Sequence, residues 1–326
     1  MAAFPNLHPT TITTHYPLPL QLFTTTMNKI VGCLVIPIGG VFAMGCVVAH
    51  HVPSLPNGGI LQFGVPWFFF ASGFWMGFKF LGCDGNAAGV WKRECARRTR
   101  TLIVPYFFWN LIWFPILFAA NWLGWKYCGA ERIVDGSTDS IVRCLGLSVW
   151  QWPALVPTWF LRSLFVASVV VGGVWALLGV GGGRRLGKLR RMVVAAAVFW
   201  GFWLVMEKFG PSEIWWNGFF CFGIPVFGMA CFATGGAVAS FLRSLPESGG
   251  AWVSFVRRQM MPVYLLHVPV ILMISWIARA AGGYQYLTDV RGCTLLGIVG
   301  VVGAIIVGEI MRAFIPNATK ILFGNR

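Results

Sequence analysis

Apolar runs of about 20 residues dominate this chain of 326 residues. A helix needs about that length to cross the hydrocarbon core of a bilayer, so each run predicts a membrane-spanning helix. Only 11% of the residues are charged, whereas soluble domains contain about 25%. The sequence therefore predicts an all-α, polytopic transmembrane helix bundle with about eight spans, or ten if a pair is missed. The runs lie near residues 30–50, 59–79, 102–123, 158–180, 192–208, 217–242, 259–279 and 294–316.

The positive charges fall between the spans in an alternating pattern. Eighteen of the 25 lysines and arginines lie on the side that also holds both chain termini. Loops rich in Lys and Arg stay in the cytoplasm, so this asymmetry predicts that both termini are cytoplasmic. The same pattern explains the net charge of +15 without a nucleic-acid partner. We expect the protein to lie in a lipid bilayer.

The domain organisation is simple. Residues 1–26 are rich in Thr and Pro and are expected to form a flexible tail, or to precede a true start at Met27. The longest loop, 124–157, is too short for an independent core, so 27–326 is expected to form a single transmembrane domain. Cys128 and Cys144 share this loop and are candidates for a disulfide if it faces an oxidising compartment. Without a C-x-x-C pair, no metal site is expected.

Two adjacent histidines end the first predicted span. A neutral imidazole can take a proton from an alcohol, so His50 and His51 are the candidate catalytic residues. Adjacent helical residues point about 100° apart, and only one of the two can face the bundle interior squarely. The structural alternative is an interfacial pair whose rings reach the lipid head groups.

Arginines cluster before the third predicted span. Arg93, Arg97 and Arg100 are spaced so that an α-helix would place them on one face. Guanidinium groups bind phosphate in a bidentate manner, which makes these residues candidates for an anion site. The alternative is a simple topology signal, although that would accept lysine equally well.

Three more ionisable residues lie inside predicted spans, where charge is costly and usually faces a bundle interior or a wet cavity. They are Arg162, His267 and Glu309. We expect them to be supporting polar residues, with Glu309 pairing with Arg162 or His267. Each also has a structural interpretation, as a snorkelling or interhelical polar contact.

Several segments together resemble the bacterial acyltransferase 3 family of integral membrane enzymes, which acylate sugars of surface polysaccharides and related acceptors. The resemblance rests on the order and spacing of the segments rather than on any one of them. They are Val47-Val48-Ala49-His50-His51-Val52, Phe68-Phe69-Phe70-Ala71-Ser72-Gly73-Phe74, Arg97-Arg98-Thr99-Arg100 with Leu102-Ile103-Val104-Pro105-Tyr106, Trp159-Phe160-Leu161-Arg162 and Tyr264-Leu265-Leu266-His267. Two departures are an arginine-to-Pro105 spacing one residue longer than the family pattern and eight spans rather than about ten.

The resemblance implies an acyltransferase that transfers groups other than amino-acyl groups. It implies that the first-helix histidine, His51 or else His50, is essential. It also implies that Arg97 and Arg100, supported by Arg93, bind an acyl-CoA co-substrate, with no permanently bound cofactor. The expected acceptor is a hydroxyl of a carbohydrate, glycolipid or cell-envelope glycan, the expected acyl group is acetyl or succinyl, and the expected location is the bacterial inner membrane.

Two other functions remain open from the residues. A transporter of an anionic solute or an acylated lipid-linked sugar would use the same basic cluster and intramembrane polar groups as a pathway. A polytopic scaffold would use the charges for topology alone, and would tolerate replacement of His51, Arg97 and Arg100 as long as the loop stays positive.

Overall fold

The structure is a computed structural model that describes residues 36–50, 64–83, 85–122, 158–183, 185–209, 224–241, 251–283 and 290–323. The expected N-terminal tail 1–26, the candidate base His51 and the cysteines Cys128 and Cys144 lie outside these residues. His50 is the last residue of its helix, and only its backbone is described.

All secondary structure in these described segments is helical, which confirms the all-α prediction. The α-helices are α1 Ile36–His50, α2 Gly64–Leu81, α3 Ala87–Arg98, α4 Val104–Trp122, α5 Trp159–Leu177, α6 Arg185–Phe209, α7 Ile224–Phe241, α8 Ala251–Ala280, α9 Val290–Phe314 and α10 Pro316–Leu322. A π-helical turn, Thr99–Ile103, joins α3 to α4.

Among the residues that the structure describes, four helical segments are long and apolar enough to cross a membrane. They are Trp159–Leu177, Leu186–Met206, Ser254–Ala280 and Thr294–Phe314. Helix α9 shows why such a segment suits lipid, because its exposed apolar residues recur every three or four positions and form one stripe. These residues are Leu295, Ile298, Val302, Ile306 and Ile310. The total of about eight spans stays a prediction.

Small residues let α2 and α7 cross at close range. Gly73 packs against the backbone of Phe232, and Gly235 packs against the backbone of Phe70, so that a side chain at either glycine would overlap the facing helix. Gly77, four residues after Gly73, lies against Gly236 in the same way. Interfaces of this kind are common between membrane helices, where association depends on close packing. The crossing fixes the segment of α2 that carries Ser72.

Basic side chains donate hydrogen bonds to backbone carbonyls at the C-terminal ends of α2 and α5. Lys188 Nζ donates to the carbonyl oxygens of Leu81 (3.0 Å) and Cys83 (3.3 Å) beyond the end of α2. Arg191 donates to the carbonyl of Gly179, after the end of α5. Cations are favourable at helix C-termini, where carbonyls lack intrahelical partners. Part of the positive charge that the sequence concentrates here therefore stabilises helix ends.

Helix α3 is short and amphipathic. Asn86 is its N-cap, and the side-chain oxygen of Asn86 accepts a hydrogen bond from the Gly89 amide at 2.8 Å. The buried residues Ala87, Val90, Glu94 and Arg98 follow one another at helical spacing and form one stripe toward the bundle. The apolar Ala87 and Val90 thus select which face packs inward, and that face carries one acid and one arginine with it.

Candidate functional site

A cavity of about 670 Å³ opens between α1, α2, α5 and α8. Its inner wall is mainly apolar and aromatic, and it includes Met44, Trp67, Phe160, Leu164 and Tyr264. The described residues at its mouth include four cations, which we call the basic mouth: Lys79 from α2, Arg97 and Arg98 from α3, and Arg258 from α8. Pockets of this type, largely apolar with a few polar groups, are typical small-molecule sites.

Glu94 organises three of the four cations. Its carboxylate accepts hydrogen bonds from Lys79 Nζ (2.5 Å) and from Arg97 Nη2 (2.6 Å) and Nε (3.1 Å). Arg98 Nε lies 3.8 Å from the same carboxylate. Burial acts to raise the pKa of Glu94, but the hydrogen bonds and charges of Arg97 and Lys79 outweigh it and lower that pKa. Glu94 is therefore an anion that holds an excess of positive charge at the cavity entrance.

Arg98 is the buried member of the basic mouth, with 5% of its surface exposed. Its Nη1 donates to Ser72 Oγ at 2.8 Å, and its guanidinium lies 5.4 Å from the ring centre of Phe232. Both partners belong to the α2–α7 crossing. The Ser72-Gly73 pair of the sequence thus has two separate tasks, because Ser72 positions Arg98 and Gly73 allows α7 to approach.

The arginines singled out by the sequence are distributed differently from the expected stripe. Arg97 lines the cavity, whereas Arg93 and Arg100 are exposed and lie outside the described cavity wall. Arg100 belongs to the π-helical turn, in which the Val104 amide bonds to the Thr99 carbonyl five residues back. Arg97 precedes this turn and Arg100 lies within it, and the turn contains one residue more than an α-helical turn. It also accommodates the extra residue in the spacing to Pro105.

The cavity extends deep into the bundle along α2. Its wall includes Lys79 at one end of α2 and Trp67 at the other, twelve residues or about 18 Å apart. At the inner end the ring of Phe160 lies 5.7 Å from that of Phe68 and 5.2 Å from that of Tyr264. The basic mouth and an aromatic inner end are therefore parts of one continuous space.

Helix α1 connects this cavity with the histidine segment. Gly40 and Met44 line the cavity, and His50 ends the helix six residues after Met44, about 9 Å along its axis. Gly64, the first residue of α2, packs against Ala43 and Val47, and Trp67 packs against the earlier Gly39, so α1 and α2 run antiparallel. The His50 backbone therefore lies beyond the aromatic end of the cavity, on the side away from the basic mouth.

The three supporting polar residues occupy separate places. Arg162 is 2% exposed and His267 is fully buried, and the described cavity wall includes neither. His267 Nδ1 lies 2.9 Å from the carbonyl oxygen of Val263 in the preceding turn of α8. The expected pairing of Glu309 with Arg162 or His267 is wrong. Because Glu309 lies in the last turns of α9, its described partners are Arg258 (2.8 Å) and Arg312 (2.7 Å).

Sequence reasoning missed several cations of the basic mouth and the acid that binds them. Glu94 is the only acid in the stretch from Lys92 to Arg100, and Arg97 and Arg98 follow it at three and four residues. That spacing is the signature of helical ion pairs and was available as a signal. The inward direction of Arg98 could also be read from the apolar residues earlier on the same face. Nothing in the sequence indicated that Lys79 and Arg258 would meet them.

Comparison with protein families settles the wider class. The family model described as an acyltransferase domain matches residues 41–243, which is more than half of the chain. This chain belongs to the acyltransferase 3 family. Neither the curated proteins nor the solved structures contain a significant match. With its apolar helices, the chain is a multi-pass membrane acyltransferase.

The matched region of this acyltransferase contains α2 to α7 and most of α1. It includes the histidine segment, Ser72, Glu94 and the arginines of α3. It ends before α8, which supplies Arg258, Tyr264 and His267. The cavity is therefore built from the matched region together with a helix that follows it.

Proposed function

We propose that this protein transfers an acyl group from acyl-CoA to a hydroxyl of a carbohydrate, glycolipid or cell-envelope glycan in the bacterial inner membrane. The observation that carries the proposal is one cavity with a basic mouth and a long apolar interior. CoA has the matching character, with phosphates at one end and a thioester at the end of a flexible arm. The asymmetry of Lys and Arg supports a cytoplasmic position for the basic mouth and for both termini.

The donor phosphates would lie at Lys79 and Arg97, whose side chains are 44% and 43% exposed at the entrance. The thioester would then extend along α2 toward Trp67. This direction supports a donor that reaches through the bundle toward the histidine segment. It also removes the need for the acyl group to be relayed across the full membrane thickness of about 30 Å.

In the proposed reaction, His51 accepts the proton of the acceptor hydroxyl while the oxygen of that hydroxyl attacks the thioester carbonyl carbon. A carbon–oxygen ester bond forms and the carbon–sulfur bond breaks. The proton then passes from the imidazole to the CoA thiolate, which leaves as the thiol. A variant of this route has the histidine carry the acyl group briefly before the acceptor takes it.

Between the two expected acyl groups, the cavity favours acetyl over succinyl. The described residues of its inner end are apolar or aromatic. None of those described residues is a cation, so a succinyl carboxylate placed among them would lose its water without compensation, which is costly. The acetyl group carries no charge and avoids this cost.

The function is tested by product mass. Membranes containing the protein are incubated with isotope-labelled acetyl-CoA or succinyl-CoA and candidate glycans, beside membranes that lack the protein. The expected result is a glycan heavier by one labelled acetyl group, with release of CoA thiol. Net movement of an anionic solute without acyl-CoA consumption would instead identify a transporter.

Arg97 and Arg100 provide a matched pair for the donor site. Hydrogen bonds to charged groups contribute about 1.5–3 kcal/mol, so Arg97→Ala is expected to raise the KM for acyl-CoA about tenfold or more. Because Arg97 contacts the donor away from the thioester, kcat should change little. Arg100→Ala should have a clearly smaller effect, since Arg100 lies outside the described cavity wall. Steady-state kinetics with both variants measure the difference, and equal increases in KM would contradict this placement.

A further inference from the structure

A second cationic group at the cavity mouth is separate from the cations that Glu94 holds. Arg258, Arg312 and Glu309 form it where α8 meets α9. Gln259 Nε2 also donates to Glu309, and Arg312 Nη2 donates to the backbone carbonyl of Arg258 at 2.6 Å. Two guanidinium groups thus share one carboxylate, which leaves one positive charge in excess.

The two arginines of this group differ in what they can reach. Arg312 is enclosed, with 18% of its side chain exposed and its guanidinium 5.8 Å from the ring centre of Phe323. Arg258 lines the cavity with 53% of its side chain exposed, and Nη2 is the atom that bonds Glu309. A guanidinium has five donors, so Arg258 can bind Glu309 and a further anion together.

A hydroxyl accompanies Arg258 at the cavity wall. Ser254 precedes it by four residues on α8 and also lines the cavity. Residues four apart on a helix lie on the same face, one turn from each other. A phosphate bound by the Arg258 fork would therefore have a hydroxyl donor beside it, which is a common combination in phosphate sites.

We propose that Arg258 and Ser254, supported by Arg312, bind the 3′-phosphate of CoA, while Lys79 and Arg97 bind its pyrophosphate. This inference rests on the proposed function, because it takes CoA as the donor. CoA carries its charge in two separate places, and the cavity mouth carries its cations in two separate groups. The assignment follows from charge. Lys79, Arg97 and Arg98 exceed Glu94 by two positive charges, which suits the doubly charged pyrophosphate.

The remaining group suits a terminal phosphate. A phosphomonoester carries about −1.5 to −2 charges at neutral pH and presents three acceptor oxygens, which one arginine fork can bind in a bidentate manner. Arg258 lies beyond the region matched by the family model. Its carboxylate partner is Glu309, whereas that of the α3 arginines is Glu94. The two groups are therefore separate in sequence and each has its own carboxylate.

Equilibrium binding of CoA and of 3′-dephospho-CoA to the full-length protein in detergent tests this subsite. Wild type is expected to bind CoA about tenfold or more tightly than 3′-dephospho-CoA. Arg258→Ala should remove this preference, weakening CoA binding by the same factor while leaving 3′-dephospho-CoA binding unchanged. Arg258→Lys should retain part of the preference, because it keeps the charge but loses the fork. Lys320→Ala, an exposed cation of α10 outside the described cavity wall, is the matched control and should keep the full preference.

The outcomes separate the inference from the function. An Arg258→Ala protein that loses affinity equally for both ligands would overturn the subsite, since the arginine would then act through general charge or through the fold. An effect of Arg258→Ala seen only with anionic phospholipid vesicles would assign the arginine to a lipid head group, and would also overturn it. Acyl transfer is measured in the same preparations. A protein that shows the binding pattern without transfer would retain the subsite and lose the proposed reaction.

Discussion

Replacing His51 by alanine is expected to lower kcat for acyl transfer by about 10²–10⁴-fold. Loss of a general base removes proton transfer in the transition state and leaves the donor site at the basic mouth intact. The KM for acyl-CoA should therefore stay close to the wild-type value. Steady-state kinetics with labelled acetyl-CoA and purified protein measure both constants.

His50→Ala is the matched control for this variant. The two positions are adjacent in the sequence, and adjacent residues of the predicted span would point about 100° apart, so we expect one ring to serve as the base. We expect the larger loss at His51. A larger loss at His50 would exchange their roles, and full activity in both single variants and in the double variant would remove the proposed mechanism. Binding of CoA by the inactive variant, compared with wild type, shows whether the protein is still folded.

Replacing Glu94 by glutamine is expected to destabilise the protein by about 3 kcal/mol, at the low end of the range for breaking a buried ion pair. The variant removes the carboxylate that Lys79, Arg97 and the buried Arg98 share. The low end applies because water reaches Lys79 and Arg97, which are about half exposed. The midpoint of thermal unfolding in detergent measures the loss. Saturating CoA should restore part of it, because the donor phosphates would supply negative charge at the same place.

Glu309→Gln is the control for burial. Glu309 also contacts two arginines, but 37% of its side chain is exposed, and exposed ion pairs contribute about 0–1 kcal/mol. Its replacement should therefore shift the unfolding midpoint much less than Glu94→Gln. Equal shifts from the two variants would contradict the role given to burial at Glu94.

The effect of Glu94→Gln should depend on pH. Burial raises the pKa of Glu94 and its cationic partners lower it, with a net decrease. A carboxyl with a lowered folded-state pKa stabilises the protein above its unfolded pKa, which is about 4.3 for glutamate. That contribution is lost as the pH falls through the lowered folded-state pKa. The difference in unfolding midpoint between wild type and Glu94→Gln should thus be largest near neutral pH and shrink in acid.

Much of the architecture could be predicted from the sequence because a membrane imposes simple rules on it. Apolar length predicts helices such as α5 and α9, since backbone polar groups in lipid must bond within their own segment. The same reasoning predicted a bundle with no separate soluble domain. The family, too, followed from ordered local segments, which the match to residues 41–243 confirmed. These inferences depend on properties of consecutive residues, which a single sequence contains in full.

The site could be predicted from the sequence only in part. The sequence indicated that α3 carries arginines, and Arg97 does line the cavity. It did not indicate that a π-helical turn would follow α3 or that Arg100 would lie outside the described cavity wall, because one extra residue in a turn has no clear compositional signature. Nor did it show that Arg98 would turn inward to Ser72, a contact that requires α3 to fold back against α2.

By itself, the sequence determined that the chain is an all-helical membrane protein of this family and that its basic residues concentrate between apolar runs. Each of these depends on local hydropathy and charge. Only the tertiary structure decided which cations share a carboxylate, and that Arg258 from α8 and Lys79 from α2 line one cavity. These residues are almost 180 positions apart in the chain. Their meeting depends on how helices pack against one another, and that is set by many weak contacts such as the crossing of α2 and α7 at Gly73.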